Sequence, residues 1–329
     1  MSEQDAFDRG RRFLVAEAVA GFPEANHRMR FPQAAGFSGS SEWQAGDVFS
    51  RAILGSLLLD IADTTNDTHD AAELRELAAA QAEHVAARKL HDCAGGWSYF
   101  PGLPELPPDL DTLGAAITLF ARVAPQHLAL CRRPIEIALA QRAADGSIPT
   151  FLISAEDDEP ARLQAMNRGA TLYWGNMPDA DVLARFYTSL LWLDAPAYAP
   201  LAPLAWLAER QQPDGCWLIP WYAGRHYGTR LCADLFEAIA PGAPAASAAQ
   251  DFLRRPAPAA SPLDIAVSQL PRQPMREQQQ SDGSWPASPW IEMPMGRPTG
   301  RVLRTLKWQS RTITTAYCLR AMGSDSPGG

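Results

Sequence analysis

The sequence predicts an all-α protein, a single α/α barrel (toroid) of about 10–12 helices. Three observations lead there. A turn unit recurs: Gln211-x-x-Asp214-Gly215-Cys216-Trp217 and Gln279-x-x-Asp282-Gly283-Ser284-Trp285 are near copies, Gln141-x-x-x-Asp145-Gly146-Ser147-Ile148 is a looser version, and Asp92-x-x-Gly95-Gly96-Trp97 is a remnant. Helices apolar nearly all round alternate with helices that carry a charged face. Strand signals are poor, because no alternating run of Val, Ile, Thr and aromatics is long enough to carry a sheet.

The elements follow in order. Residues 5–20 read as an outer helix. The first inner helix spans 47–61 (DVFSRAILGSLLLDI), with apolar residues at helical spacing. Further inner helices are expected at 111–123, 179–193, 229–239 and 312–322. Each begins at or near an Asp, Ser or Thr, whose oxygen can accept from free helix N–H groups. More polar helices are expected at 71–88, 134–142, 201–211 and, more weakly, within 262–280. This makes five inner–outer pairs, with a sixth around 245–254. The proline-rich stretch 241–274 contains enough Leu, Ile and Val to read as a packed irregular segment. In the turn unit Asp-Gly makes a tight turn, Gln bonds helix ends and Trp covers the next hairpin. Closing such hairpins into a ring buries every inner helix.

The 329 residues, 47% of them apolar, are read as one domain with a disordered tail from about 324. A net charge of −8 argues against a nucleic-acid partner. The opening MSEQDAFDRGRRF has no apolar run of a signal peptide, and no stretch is long enough to span a bilayer. The five cysteines are scattered with no C-x-x-C, so neither disulfides nor structural zinc is expected and the expected location is cytoplasmic.

The chemistry-bearing stretch is Asp109-Leu110-Asp111-Thr112, after two prolines and before an Ala/Leu-rich inner helix. Two carboxyls this close at the mouth of an apolar barrel can share a proton. Crowding and burial raise one pKa, while the helix N-terminus favours the anion. The same spacing also describes an ordinary N-cap with an acidic first turn. Aromatics gather in the loops that enter the inner helices: Trp97, Tyr99, Trp174, Trp221, Tyr222, Tyr227, Trp290 and Trp308. Their π faces can stabilise a cation in a dry cavity, or they can be core residues.

These features resemble the terpene-cyclase/prenyltransferase α-barrel superfamily, and within it the class II terpene cyclases related to squalene–hopene cyclase. The repeats match that family's Gln-Trp units. Asp214-Gly-Cys-Trp217 leading through Trp221-Tyr222 to His226-Tyr227-Gly228-Thr229 resembles its bacterial form, and Asp109-Leu-Asp111-Thr112 resembles its Asp-x-Asp-Asp acid motif. The resemblance covers most of residues 40–322. It implies protonation-initiated cyclisation of a linear isoprenoid or other polyene, with Asp111 as the acid and Asp109 holding it by hydrogen bonds. Thr112 stands where the family has a further Asp, so a hydrogen-bonding group replaces a charge. Two other functions remain open: a cyclase or isomerase acting on a non-terpenoid natural product with the same acid, and a non-catalytic lipid-binding subunit of a two-chain cyclase.

No metal or other cofactor is expected for the chemistry. Glu156-Asp157-Asp158-Glu159 would hold Mg²⁺ if the substrate carried a diphosphate, and otherwise reads as a solvated loop. His226 lacks the Asp and Cys that a zinc prenyltransferase site needs. Arg225, Arg230, Arg297, Arg301, Arg304 and Lys307 are candidates for binding a diphosphate or are surface charges. The resembling enzymes cover their site with a second barrel that this length does not contain. The cover is therefore expected from a second copy, a partner chain, or the loops 95–108 and 286–301.

Overall fold

The computed structural model describes residues 2–255, 260–300, 302 and 304–323. The tail expected to be disordered, and Arg301, lie outside the described residues. Six helices form a closed inner ring: α2 (Val48–Thr64), α4 (Leu110–Val123), α7 (Ala180–Tyr198), α9 (His226–Ile239), α11 (Pro262–Val267) and α13 (Arg311–Gly323). Each packs on the next, and α13 packs back on α2. Outside them lie α1 (Glu3–Val19), α3 (Thr68–Ala87), α5 (Arg132–Ala140), α8 (Leu204–Arg210), α10 (Pro244–Leu253) and the short α12 (Gln273–Arg276). The toroid and its alternation are as the sequence predicts, and the sixth pair is α10 with α11. The described residues of 241–274 are packed, with Leu253, Leu263 and Ile265 buried, but they are largely helical (α10, α11 and the start of α12) and not irregular as expected.

The two near-identical turns build this ring by the same contacts, and the looser copies share their glycine. Gly96, Gly146, Gly215 and Gly283 have φ of +99°, +84°, +91° and +92°, a region that favours glycine. A Cβ at Gly215 would lie 2.1 Å from the Ala248 carbonyl oxygen of α10, and one at Gly283 would lie 2.4 Å from that of Arg9 in α1. The turn therefore needs a residue without a side chain to seat the next outer helix. The Trp217 and Trp285 indoles donate to the carbonyls of Leu207 (2.8 Å) and Met275 (2.7 Å), and Trp97 donates to Val85 (2.8 Å). The Gln211 amide donates to Gly215 and Ala245, and the Gln279 amide to Gly283 and Ala6. The last of these bonds joins the final turn to the first helix and closes the ring.

Two features depart from the all-helical expectation. Antiparallel hairpins are present: β1 (His27–Arg30) pairs with β2 (Trp43–Gly46), and β3 (Ser288–Met295) pairs with β4 (Arg304–Ser310). Pro289 and Pro294 interrupt the β3 pattern, as prolines do on strands with an unpaired edge, and β4 carries Arg304 and Lys307 in place of apolar residues. A further helix, α6 (Pro160–Gly169), leads into a single π-helical turn at Ala170–Trp174.

These extra pieces share a second hydrophobic core. Phe31, Phe37, Phe100, Leu106, Phe151, Trp174 and Met293 pack together over the end of the ring where the inner helices begin. The chain's own segments therefore cover the barrel mouth, and the described residues 286–300 supply strand β3 of a hairpin and not a plain loop. Among the described residues, no helix is long and apolar enough to cross a membrane.

Candidate active site

Beneath that cap lies a cavity of about 460 Å³. Its walls are mostly apolar or aromatic: Phe49 of α2, Tyr99, Leu106, Phe151, Val182 of α7, Trp221, Tyr222, and Ile291 and Met293 of β3. Asp109, Asp111 and Thr112 enter from the first turn of α4, with Thr150 beside them.

Helix α4 places both carboxyls. Asp109 is its N-cap, and its oxygens accept from the Thr112 N–H (2.7 Å) and hydroxyl (3.0 Å). Thr112 thus serves Asp109 through both its backbone and its side chain. Burial pushes the Asp109 carboxyl up to about 7, aided by the charge on Asp111 and opposed by the Thr112 bonds. Asp111, two residues further along in the first turn, has 14% of its side chain exposed. Arg185 of α7 donates from Nε to its Oδ1 at 2.6 Å, and the Tyr222 hydroxyl donates to Oδ2. Burial raises this carboxyl too, against Arg185 and Tyr222, which favour the anion. The Arg185 guanidinium also donates to the Tyr227 hydroxyl at 2.9 Å, which lies 2.7 Å from that of Tyr317.

This network forms a floor. On its far side a polar cavity of about 810 Å³ opens at the other end of the ring, reached by Arg185, Tyr227 and Tyr317 and rimmed by Asp60, Arg122, Asp234 and Arg320. The acidic side of the floor therefore faces an apolar space, and its cationic side faces a polar one.

A second Asp-x-Asp starts the next inner helix. Asp179, the N-cap of α7, accepts from the Thr150 hydroxyl (2.8 Å), the Trp221 indole (2.7 Å) and both terminal nitrogens of Arg297 (2.7 and 3.1 Å). Asp181 is fully buried, and neither of its oxygens has a hydrogen-bond partner. Burial, with Asp179 and Asp111 nearby, raises its carboxyl well above the usual carboxylate range. Four carboxyls thus meet two guanidiniums. Asp111 and Asp179 take the cations, while Asp109 and Asp181 have none.

The eight aromatic residues singled out from the sequence divide by position. Tyr99, Trp221 and Tyr222 line the cavity. Tyr227 sits in its floor. Trp290 and Trp308 form a second layer, with Trp290 packed on Phe49, Tyr222 and Trp308. Trp97 and Trp174 do not reach the cavity. Trp97 is the indole of a turn unit, and Trp174 belongs to the cap core. Arg297 binds Asp179 and lies over the Trp221 ring, so it is a structural clamp and not a free cation. The 156–159 loop is mostly solvated, but Asp158 is buried and accepts from the N–H groups of Ala94 and Ser154. His226 is buried with Asp264 as its acidic neighbour at 3.9 Å.

Sequence reading missed Phe49, Phe151, Arg185, Asp179 and Asp181. A signal was present for three of them: Asp179-Ala-Asp181 repeats the Asp109-Leu-Asp111 spacing at the next inner helix, and Arg185 follows one turn later on the same face.

No protein-family model and no curated protein matches the chain. Solved structures do. The apo type II terpene cyclase MstE from Scytonema aligns over 99% of this chain and 99% of its own, with a TM-score of 0.69 and 18% identity. A variant of the same enzyme in complex with geranylgeranyl dihydroxybenzoate, its substrate, aligns over 99% and 97%, with a TM-score of 0.67 and 17% identity. A protein from Actinoplanes aligns over 98% of both chains, with a TM-score of 0.66 and 17% identity. Along nearly its whole length, the chain has the fold of a type II terpene cyclase.

Proposed function

We propose that this protein is a cyclase of the class II terpene type, which starts ring closure of a linear isoprenoid or other polyene by protonating it with Asp111. The observation that carries the reading is a covered, apolar, aromatic-lined cavity into which an Asp pair projects from one helix start. The Asp111 O–H bond breaks as a C–H bond forms on a terminal alkene, or as an O–H bond forms on an epoxide oxygen whose C–O bond then opens. The resulting carbocation is attacked by the next double bond, and the sequence ends with loss of a proton. Burial raises the Asp111 carboxyl and so favours the protonated form that the reaction starts from, and Arg185 and Tyr222 stabilise the carboxylate that remains. Asp109, protonated up to about pH 7, keeps a second negative charge away from the acid. Tyr99, Trp221, Tyr222 and Phe49 offer π faces to the cation, and the cap keeps out the water that would quench it.

The MstE structures, solved with geranylgeranyl dihydroxybenzoate as substrate and merosterolic acid A as product, support a prenylated substrate class. The reading asks nothing of a cofactor, since the proton comes from a carboxyl. Activity is expected to survive EDTA. Loss restored by Mg²⁺ would point to a diphosphate on the substrate.

Asp111→Asn tests the proposal. It keeps the shape and removes the proton. Turnover of geranylgeranylated substrates should fall by at least about 10²-fold with circular dichroism and substrate affinity unchanged. Near-normal turnover in this variant removes Asp111 from the chemistry. Wild-type protein that binds a polyene and never converts one would favour a lipid-binding role.

A further inference from the structure

Among the described residues Arg185 has one ionic partner, Asp111. A guanidinium in a protein keeps its charge. Asp111 does not, because an acid must hold its proton before each reaction, and in that state it is neutral. Arg185, only 11% exposed, is then a buried cation without a counter-ion, which is a costly arrangement.

The polar cavity at the lower end of the ring is where a counter-ion can reach it. Arg185 borders that cavity and not the reaction chamber. Phe49 and Tyr222, which line the chamber, hold their rings 5.4 and 5.9 Å from the guanidinium carbon, so an ion approaches from below. Nε is spent on Asp111, and Nη2 on Tyr227 at 2.9 Å and Tyr222 at 3.4 Å. Nη1 makes no hydrogen bond among the described residues.

The other cations of the cavity are already matched. Arg122 lies 2.8 Å from Asp60 and 3.6 Å from Asp63 on the rim, Arg320 lies 3.8 Å from Asp60, and Arg230 lies 2.7 Å from Asp234. Three carboxylates thus face three guanidiniums, and the unbalanced charge is that of Arg185. Burial raises the Asp234 carboxyl against Arg230 and Arg320, which takes further negative charge out of the cavity. Neutral donors stand beside Arg185. The Tyr317 hydroxyl borders the cavity, 2.7 Å from that of Tyr227. Thr188 borders it too, three residues after Arg185 and so on the same face of α7. Its hydroxyl has no hydrogen-bond partner among the described residues, although a helical threonine commonly returns its hydroxyl to a carbonyl of the preceding turn. A guanidinium fork flanked by hydroxyls suits a tetrahedral oxyanion, and about 810 Å³ leaves room for one with its water.

We propose that the lower cavity is a binding site for a small inorganic oxyanion of the phosphate or sulfate class, which serves as counter-ion to Arg185 while Asp111 holds its proton. The counter-ion role rests on Asp111 being the acid, and the binding of the anion does not.

The test uses the full chain and follows equilibrium binding of sodium sulfate and sodium phosphate by calorimetry, against sodium chloride at matched ionic strength. The oxyanions should bind saturably, and chloride should not displace them. Arg185→Met should weaken sulfate binding by about tenfold or more. Thr188→Asp sets a carboxylate one turn from Arg185 and should abolish the binding. Thr188→Val keeps the shape, should weaken binding a few-fold, and guards with circular dichroism against misfolding of the Asp variant. Asp111→Asn fixes the uncharged state of the acid and should bind sulfate at least as tightly as wild type. No saturable oxyanion binding in the wild type, binding that chloride removes at the same ionic strength, or binding that survives Arg185→Met overturns the proposal. Weaker sulfate binding in Asp111→Asn overturns the counter-ion role. Turnover is measured separately. Near-normal turnover of Asp111→Asn would sink the acid assignment and leave an Arg185-dependent anion site standing, whereas an inactive Asp111→Asn with no sulfate binding in any form sinks this inference alone.

Discussion

Arg185 Nε stands 2.6 Å from Asp111 Oδ1, while the same guanidinium reaches the Tyr227 hydroxyl at 2.9 Å. The cation is held from behind and aimed at the carboxylate that proton loss creates. Replacing it with Met keeps the stem and removes the charge. Asp111 should then hold its proton more firmly. Turnover is expected to fall by about 10²-fold, with the alkaline limb of the rate–pH profile moved upward. An unchanged rate and an unmoved limb would separate Arg185 from the acid.

Asp109 has the opposite behaviour. Its carboxyl sits near 7 in the fold against an ordinary 3.8. Between those values the folded chain keeps a proton that the unfolded chain has released, so this group's contribution to stability falls as pH rises from about 4 to about 7 and is flat above. Asn resembles the protonated form and can keep both Thr112 contacts. The melting temperature of Asp109→Asn relative to wild type should therefore climb across that window and then level off. A difference that does not change with pH would mean that Asp109 titrates normally. Turnover should suffer less than in Asp111→Asn, because Asp109 is the neighbour and not the donor.

The cap is latched by Arg297 on Asp179. Arg297→Ala removes two charge-assisted hydrogen bonds and the cation over Trp221. The β3–β4 hairpin should loosen, with faster proteolysis between residues 288 and 310. More of the product should carry a hydroxyl from water, as mass spectrometry would reveal. A product profile identical to wild type would mean that water is excluded by other parts of the cap.

The turn unit should affect stability and leave the chemistry alone. Trp285→Phe leaves the Met275 carbonyl without its indole donor and should cost about 1–3 kcal/mol in denaturant unfolding, with turnover per folded molecule unchanged. Gly283→Ala should be worse, since its φ is +92° and the added methyl meets the Arg9 carbonyl.

The sequence made the ring legible because a repeat writes the same constraint several times, and each copy corroborates the others. The acid motif was readable for a similar reason: capping chemistry forces Asp109 to the helix start and the helix carries Asp111 inward. Arg185 was hidden because its partnership with Asp111 is set by how α7 lies on α4, which no local pattern encodes. The β3–β4 hairpin was hidden by Pro289 and Pro294, which break strand periodicity. Trp97 and Trp290 show that tryptophan content locates loops at the mouth without saying which rings face the cavity.

The bond from Gln279 to Ala6 and the pair Arg276–Glu3 at 2.8 Å tie the last hairpin of the ring to the first helix, and the pair Arg311–Glu24 at 2.8 Å ties it to the turn that follows. During synthesis α1 emerges on the order of tens of seconds before α13. Over that interval Phe7, Phe13 and Leu14, all buried in the finished fold, have no α13 to pack against. The nascent chain must carry this apolar face without its α13 partner until α13 emerges, so its exposure to chaperones and to aggregation is set by ribosome speed.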